Sequence, residues 1–323
     1  MSDILTVEAL KIHFPVHGGL LHREVGSVKA VDGVSFSVKE GETLGLVGES
    51  GCGKSTTGLA VLRMLPVTAG RIVFEGVDIT HYDQKQMRPI RRRMQMVYQD
   101  PFGSLDPRMT IGDIIGEPLE IHKLHGNKAE RRDRVIELLL MVGLRADMID
   151  RYPHQFSGGQ RQRISIARAL AVEPRLLICD EPVSALDVSI QAQVVNLFQE
   201  LQEKLGISCI FVAHDLAVVR HVSQRVAVMY LGTIVEVASR DELYANPLHP
   251  YTKALMAAIP IPNPVVEAGR AHTIITGEVP SAQKPPPGCR FHPRCVHAMP
   301  ICSEQKPELR TEGQTLVACH LYT

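Results

Sequence analysis

The 323-residue sequence predicts an α/β protein whose core is a mostly parallel β-sheet covered by helices. Short apolar runs typical of buried strands recur along the chain, and stretches with helical periodicity separate them. The hydrophobic content of 45% is ample for a buried core. Parallel strands need long crossover connections, which helices supply, so this alternation favours the α/β class.

Composition excludes several classes of protein. Lys+Arg and Asp+Glu both number 35, so no basic excess indicates a nucleic-acid or anionic-membrane partner. No uncharged apolar run approaches the roughly 18 residues of a membrane span. The start, "MSDILTVEALKIHF", lacks the basic-then-apolar layout of a secretory signal. We therefore expect a cytosolic protein with reduced thiols.

The first elements follow from these patterns. Residues 4–47 predict strands, and the last of them, Thr43–Val47, is a compact apolar run. A glycine-rich turn follows, and then a helix that ends before Pro66. Residues 127–143 predict a second helix, which Asn127 caps and Gly143 ends. No clear strand lies between about 103 and 156, so we expect a helical subdomain at about 100–158.

Strands and helices then alternate again. "RLLICDEP" predicts a strand and turn, residues 189–205 a helix, and "ISCIFVAH" a buried strand. "VAVMYLGTIVEVAS" predicts a hairpin through Gly232. Prolines break the pattern after Glu242. We therefore predict one domain over 1–240 and an irregular Cys- and Pro-rich extension over 241–323.

A phosphate-binding motif follows the strand Thr43–Val47. "GESGCGKS" matches G-x-x-x-x-G-K-[ST], the P-loop, in which glycines let backbone amides surround phosphate oxygens. Lys54 can reach the β- and γ-phosphates of a nucleotide, and Ser55 can bind Mg²⁺. The predicted nucleotide-binding residues here are Gly48, Glu49, Ser50, Gly51, Cys52, Gly53, Lys54, Ser55 and Thr56.

An acidic pair supplies the second part of such a site. Asp180 ends the apolar strand "LLICD", where its carboxylate can hold the Mg²⁺ shell. Glu181 follows directly and can polarise an attacking water as a general base. An ordinary acidic turn is the alternative, but the P-loop favours the functional interpretation.

Four further motifs narrow the class of protein. "FSGGQRQR" resembles the signature sequence of the ATP-binding-cassette (ABC) ATPases, with Phe156 where Leu is commoner. Gln99 in "VYQDP" resembles the Q-loop of that family, "SALD" the D-loop and His214 the switch histidine. Together with the P-loop and the acidic pair, six motifs occur in the family's order. The resemblance implies a P-loop NTPase fold with a mostly parallel sheet core, an antiparallel β subdomain and a helical subdomain.

The resemblance also implies roles for residues. Two cassettes would pack head to tail, with ATP between the P-loop of one and the signature of the other. His214 would bind the γ-phosphate, and Gln99 would sense Mg²⁺ and water, so the catalytic residues would be Lys54, Gln99, Glu181 and His214. Adenine would stack on Phe14, although that residue could instead belong to the core. The remaining residues implied at the nucleotide are Ser157, Gly158, Gly159, Gln160 and Asp187.

One stretch indicates the kind of transporter. "NPLHPYTKAL" and the Pro/Cys-rich tail resemble the ATPase subunits of dipeptide and oligopeptide importers, and most closely the F-type subunit. The resemblance implies a second ATPase subunit, making a heterodimer, two membrane permeases and a peptide-binding protein. The chain would lie at the cytoplasmic face of the membrane. A nickel or oligosaccharide importer, or a soluble ABC protein, remains an alternative.

The cysteines are concentrated at the tail. Four of the seven are Cys289, Cys295, Cys302 and Cys319. A disulfide pair suits a secreted chain better than a cytosolic ATPase. Structural zinc would take four thiolates, or exchange one for His292 or His320, but the paired C-x₂-C spacing typical of zinc is absent. An iron–sulfur cluster also takes four thiolates and tolerates irregular spacing. The importer resemblance implies a [4Fe–4S] cluster, with zinc as the alternative.

Overall fold

The computed structural model describes residues 2–18, 23–100, 103–259 and 277–322. The α/β class is confirmed. The strands of the described residues are β1 Asp3–Gly18, β2 Arg23–Lys39, β3 Thr43–Val47, β4 Ala69–Phe74, β5 Val77–Asp78, β6 Met94–Val97, β7 Leu176–Asp180, β8 Ser208–Ala213, β9 Arg225–Tyr230, β10 Thr233–Ser239, β11 Arg310–Glu312 and β12 Thr315–Val317. The α-helices are α1 Lys54–Val61, α2 Gln84–Arg93, α3 Ile111–Ile121, α4 Lys128–Met141, α5 Gly158–Leu170, α6 Val188–Leu205, α7 Leu216–Val222, α8 Arg240–Ala245, α9 Pro250–Ala257 and α10 Pro300–Glu304.

The chain divides into two compact units. The first unit consists of Met1–Ile4, Val38–Glu42 and Tyr82–Val212. The second unit consists of Leu5–Ser37, Thr43–His81 and Ala213–Thr323. The P-loop therefore belongs to the second unit, and the acidic pair and the signature belong to the first.

The first unit contains a buried parallel sheet and a helical region. Strand β7 pairs in parallel with β6 and with β8, and every residue of β7 and β8 is buried. Between residues 103 and 156, where the sequence predicts no clear strand, the structure has helices and no strand. Helix α4 begins where predicted, because the Asn127 side chain accepts a hydrogen bond from the Glu130 N–H at 2.9 Å. Helix α6 also forms as predicted: Val194, Leu197 and Leu201 are buried, whereas Leu205 at its end is 41% exposed.

The second unit contains two sheets. Strands β2, β1, β4 and β5 form one of them, in that order. In the other, β3 pairs in parallel with β9, and β9 and β10 form the predicted hairpin, with Tyr230 opposite Thr233. Strand β12 pairs with the outer side of β10 and is followed by β11. The tail of the chain thus extends the sheet that contains the P-loop strand.

The tail is more regular than the prolines suggest. The sequence predicts an irregular extension, whereas the structure has helices α9 and α10 and the β11–β12 pair. Pro250 occupies the first turn of α9, where a missing N–H costs nothing, so this proline starts a helix instead of breaking one. The buried Glu236 carboxylate accepts hydrogen bonds from the Leu248 and His249 amides, at 2.7 and 2.9 Å, and so fixes the start of the tail.

None of the helices in the described part of the chain combines the length and apolar character that crossing a bilayer requires.

Candidate nucleotide-binding site

The P-loop joins the buried strand β3 to helix α1, as predicted. Two of its glycines are required by their surroundings. Gly53 has a φ of +105°, and a Cβ there would lie 2.2 Å from the Ala30 carbonyl oxygen. At Gly48 a Cβ would lie 2.1 Å from the Met229 carbonyl oxygen. Only glycine allows the loop to pass this close to the neighbouring backbone.

Lys54 is the first residue of helix α1 and is buried. Its ammonium group donates hydrogen bonds to the carbonyl oxygens of Gly48, at 2.7 Å, and of Glu49, at 3.1 Å. The lysine therefore folds back over its own loop, which places a positive charge beside the amides at the helix N-terminus. This arrangement is suited to an anion such as a phosphate.

The other loop residues differ in exposure. Ser50 and Gly51 are exposed, and Ser55 and Thr56 are half-buried. Cys52 is buried, and that burial raises the pKa of its thiol. A protonated, buried thiol is a poor nucleophile, so Cys52 acts as a small packing residue of the loop.

Two predicted nucleotide contacts outside the P-loop also belong to the second unit. His214 follows strand β8 and is exposed. The next residue, Asp215, caps helix α7 by accepting a hydrogen bond from the Ala217 amide at 2.7 Å. Phe14 lies on β1 and is 37% exposed, so it does not belong to the buried core.

In the first unit the structure brings Gln99 and Glu181 together. The Gln99 side-chain amide lies 3.2 Å from a Glu181 carboxylate oxygen and 3.3 Å from the Ser184 hydroxyl. Glu181 itself has a φ of 44°, and its amide donates to the Val212 carbonyl at 3.0 Å. A left-handed backbone conformation is costly for glutamate, and it fixes the direction of this side chain at the end of β7.

Asp180, one residue earlier, ends β7 and is buried. A cavity of about 430 Å³ opens beside it, lined also by Gln99 and Arg168. Burial lowers the pKa of the Arg168 guanidinium, which nevertheless donates a 2.6 Å hydrogen bond to the Ser104 carbonyl. Asp180 and Gln99, both predicted to contact Mg²⁺, therefore border a common space within the first unit.

The signature residues open helix α5. This helix begins at Gly158, and Ser157 caps it. Ser157 and Gln160 form a capping box: the Ser157 amide donates to the Gln160 side chain at 3.0 Å, and the Ser157 hydroxyl accepts from the Gln160 amide at 3.4 Å. The S-x-x-Q spacing is a signal from which this start could have been predicted.

Gly158 and Gly159 have different surroundings. A Cβ on Gly159 would lie 2.3 Å from a methyl carbon of Ile190 on helix α6, whereas at Gly158 the nearest atom would be 3.4 Å away. Gly159 is therefore needed for close helix packing. Ser157 and the D-loop residue Asp187 are both exposed, and Asp187 makes no side-chain cap to α6.

The four tail cysteines are neighbours in the structure. The pKa of the Cys289 thiol is raised to about 11, chiefly by burial and to a smaller extent by the nearby Cys302, Cys319 and Cys295. The amide of Cys289 donates to the Cys302 carbonyl at 2.8 Å. All seven cysteines are free thiols. Within the described residues, no three His, Cys, Asp or Glu side chains are grouped closely enough to hold a metal ion.

Contacts to Glu49 from distant residues were not predicted. The Glu49 amide donates to the Tyr251 hydroxyl at 2.8 Å, and the Glu49 carboxylate pairs with Arg294. Tyr251 lies in "NPLHPYTKAL", which the sequence marks only as a family feature. No local pattern signals these contacts, because the partners are 202 and 245 residues away.

Comparison with known proteins agrees with this geometry. Residues 31–184 match the family model described as ABC transporter, and residues 235–302 match the model described as oligopeptide/dipeptide transporter, C-terminal region. The oligopeptide transport ATP-binding protein AppF of Bacillus subtilis is 53% identical, covering 100% of this chain and 98% of that protein. OppF of Salmonella typhimurium, which carries the same description, is 52% identical and covers 98% of this chain and 95% of that protein.

Solved structures support the fold. A dimeric post-hydrolysis state of the ATP-binding cassette MJ0796, bound to ADP and Pi, superposes with a TM-score of 0.65 at 28% identity, covering 73% of this chain and 98% of that one. CbiO1 of Clostridium perfringens, part of the transporter complex cbiONQ, gives 0.66 at 29% identity, covering 76% and 92%. This chain therefore belongs to the ABC transporter ATPases, in the group that carries an oligopeptide/dipeptide-transporter C-terminal region.

Proposed function

We propose that this chain is the ATP-hydrolysing subunit that powers import of di- and oligopeptides across the cytoplasmic membrane. The similarity to AppF carries the proposal, because it extends over the whole chain and includes the tail as well as the cassette. Cassette motifs alone are shared by transporters of every cargo. The tail region, at residues 235–302, matches the model described as oligopeptide/dipeptide transporter, C-terminal region.

The residues take the following roles in the proposal. Lys54 and the amides of Gly48–Thr56 bind the phosphates of ATP, and Phe14 stacks on adenine. Mg²⁺ neutralises phosphate charge when bound, and the residues that would hold it, as ligands or next to its ligands, are Ser55, Asp180 and Gln99. Glu181 polarises the attacking water and His214 binds the γ-phosphate. The Gln99–Glu181 hydrogen bond supports this assignment, since it places a carboxylate and an amide where one water could contact both.

A second cassette completes the site in this proposal. Ser157, Gly158, Gly159, Gln160 and Asp187 would face the partner's ATP, and the exposure of Ser157 and Asp187 is compatible with an interface. The partner is a different ATPase subunit, and two permeases and a peptide-binding protein complete the importer. The chain would lie peripherally at the cytoplasmic face of the membrane. Residues 1–240 would form the ATPase domain, with a helical subdomain at about 100–158, and residues 241–323 the extension.

The tail cysteines would hold a [4Fe–4S] cluster. Four neighbouring thiols with irregular spacing are the ligand set that such a cluster takes. A single zinc ion would need its ligands gathered around one point, and no such grouping occurs in the described residues. A cluster binds each cysteine to a separate iron, so its ligands lie farther apart than those of a single zinc ion, which stays the alternative.

Uptake measurements test the cargo. In cells whose only copy of this subunit carries Glu181→Gln, we expect uptake of a radiolabelled tripeptide to fall to background, while ⁶³Ni²⁺ and labelled oligosaccharide uptake stay normal. Loss of nickel or oligosaccharide uptake with normal peptide uptake would instead establish the related-importer alternative. If all three stay normal and no permeases co-purify under gentle extraction, the transport function itself is wrong.

Metal analysis tests the cluster. Full-length protein purified without oxygen should contain about four irons and four sulfides per chain and absorb visible light. Cys289→Ser should lose the absorbance and most of the iron, whereas Cys209→Ser, on the buried strand β8, should keep both. Zinc alone, or no metal, would contradict the cluster while leaving the ATPase assignment intact.

A further inference from the structure

The segment Gly288–Cys295 of the tail, which contains two of the four cysteines, contacts the P-loop within the second unit. Arg294 forms a bidentate ion pair with Glu49: one guanidinium nitrogen lies 2.8 Å from Oε2 and the other 3.1 Å from Oε1. Paired, parallel N–H···O bonds of this kind fix orientation as well as charge. The second residue of the P-loop is thus held by the tail.

The surroundings of the pair make it more than a surface contact. The Arg294 side chain is only 7% exposed and the Glu49 side chain 24%. The guanidinium lies over the Tyr230 ring, 5.9 Å from its centroid, and the Tyr230 hydroxyl lies 3.4 Å from Nη1. The backbone amide of Glu49 also donates a hydrogen bond to the Tyr251 hydroxyl. Shielding from water strengthens such a pair relative to an exposed one.

The charge of Glu49 bears directly on nucleotide binding. Glu49 is the only acidic residue between Gly48 and Ser55. Its carbonyl oxygen accepts a hydrogen bond from the Lys54 ammonium at 3.1 Å, so its backbone belongs to the phosphate-binding loop. An unpaired carboxylate there would repel a triphosphate, because like charges a few ångströms apart interact strongly where water is excluded. Arg294 neutralises that charge.

A second arginine of the same segment reaches the other side of the loop. Arg290 pairs with Asp32 and donates to the Leu231 carbonyl oxygen. The adjacent Gly232 amide donates to the Cys52 carbonyl oxygen at 2.8 Å. The segment therefore supports the P-loop at Glu49 directly and at Cys52 through the β9–β10 turn.

We propose that Arg294 is a positioning residue for ATP binding: it neutralises and orients Glu49, so that nucleotide affinity depends on docking of the Gly288–Cys295 segment. The inference rests on ATP binding at the P-loop and is independent of the cargo and of any metal at the cysteines. It gives the tail a direct effect on the nucleotide site, in addition to its role as an extension of the fold.

Equilibrium binding of a fluorescent ATP analogue with Mg²⁺ to the full-length chain tests this inference. Arg294→Gln should weaken binding about tenfold, the effect of one uncompensated charge near the phosphates. The double variant Glu49→Gln/Arg294→Gln should bind within about twofold of the wild type, because it has lost both the arginine and the carboxylate that the arginine neutralises. Arg294→Lys should lie between the wild type and Arg294→Gln, since it keeps the charge and loses the bidentate geometry. Arg310→Gln, which removes an exposed pair with Glu308 in the same tail, is the matched control.

Comparing the single and double variants in this way distinguishes electrostatic positioning of Glu49 from simple support of the fold. If the double variant binds as weakly as Arg294→Gln alone, removing the carboxylate restores nothing, the arginine acts only through structure and the proposal is wrong. Unchanged affinity of Arg294→Gln in a wild-type background would also overturn it, while leaving the ATPase assignment untouched. Failure of the wild type itself to bind nucleotide would overturn both. Circular dichroism melting curves establish that each variant is folded.

Discussion

Glu181→Gln is expected to lower the rate of ATP hydrolysis by a factor of about 10² to 10⁴ while leaving ATP binding intact, the range typical of removing a general base. The substitution is nearly isosteric, and the glutamine oxygen can still accept the hydrogen bond from the Gln99 side-chain amide. The backbone at this position, with its φ of 44°, is unaffected by the change. What is lost is the negative charge that, in the proposed role of Glu181, polarises water.

Steady-state phosphate release and equilibrium nucleotide binding measure the two quantities separately. Glu203→Gln, an exposed change on helix α6 of the same unit, is the matched control and should hydrolyse ATP at the normal rate. Hydrolysis by Glu181→Gln at more than about a tenth of the wild-type rate would show that another residue polarises the water.

Lys54→Ala is expected to weaken MgATP binding by about a hundredfold, or about 2.7 kcal/mol, the scale of losing charge-assisted hydrogen bonds to phosphate. In the present structure the ammonium contacts the carbonyl oxygens of Gly48 and Glu49. It is therefore already positioned inside the loop, and removing it also removes two contacts that shape the loop. Affinity should fall even for ADP, although less than for ATP, because the γ-phosphate contact is absent.

Titration with a fluorescent nucleotide gives both affinities. Lys85→Ala, on the exposed surface of helix α2, is the control for loss of a lysine charge without loss of a phosphate contact. Equal affinities of Lys54→Ala and wild type would rule out this P-loop as the main phosphate site.

The sequence predicts best those features whose partners are close along the chain. The run Thr43–Val47, the glycine turn and helix α1 are contiguous, and each has a strong local signal. The Asn127 side chain and the Glu130 amide that it caps are three residues apart. The acidic pair at the end of β7 is recognisable because an apolar strand precedes it. Local physical chemistry suffices for all of these features.

Long-range pairing accounts for what the sequence did not predict. Arg294 and Glu49 are 245 residues apart, and neither has a neighbour pattern that indicates the other. The tail also has few periodic apolar positions, and its prolines suggest a coil. Its order comes from contacts such as those of Glu236 with the Leu248 and His249 amides, which only the folded chain brings together.

The division of the chain also has a consequence for folding during synthesis. The region Tyr82–Val212 of the first unit is continuous, whereas the second unit combines segments from both ends of the chain. The P-loop strand pairs with β9, and the Thr43 amide bonds to Gln224, 181 residues later. At translation rates of about 5–20 residues per second, the nascent P-loop strand waits roughly ten to forty seconds for that partner. During that interval an apolar strand lies unpaired, the condition under which nascent chains recruit chaperones. Slowing synthesis between β3 and β9 should therefore reduce the yield of folded protein more than slowing it after β12.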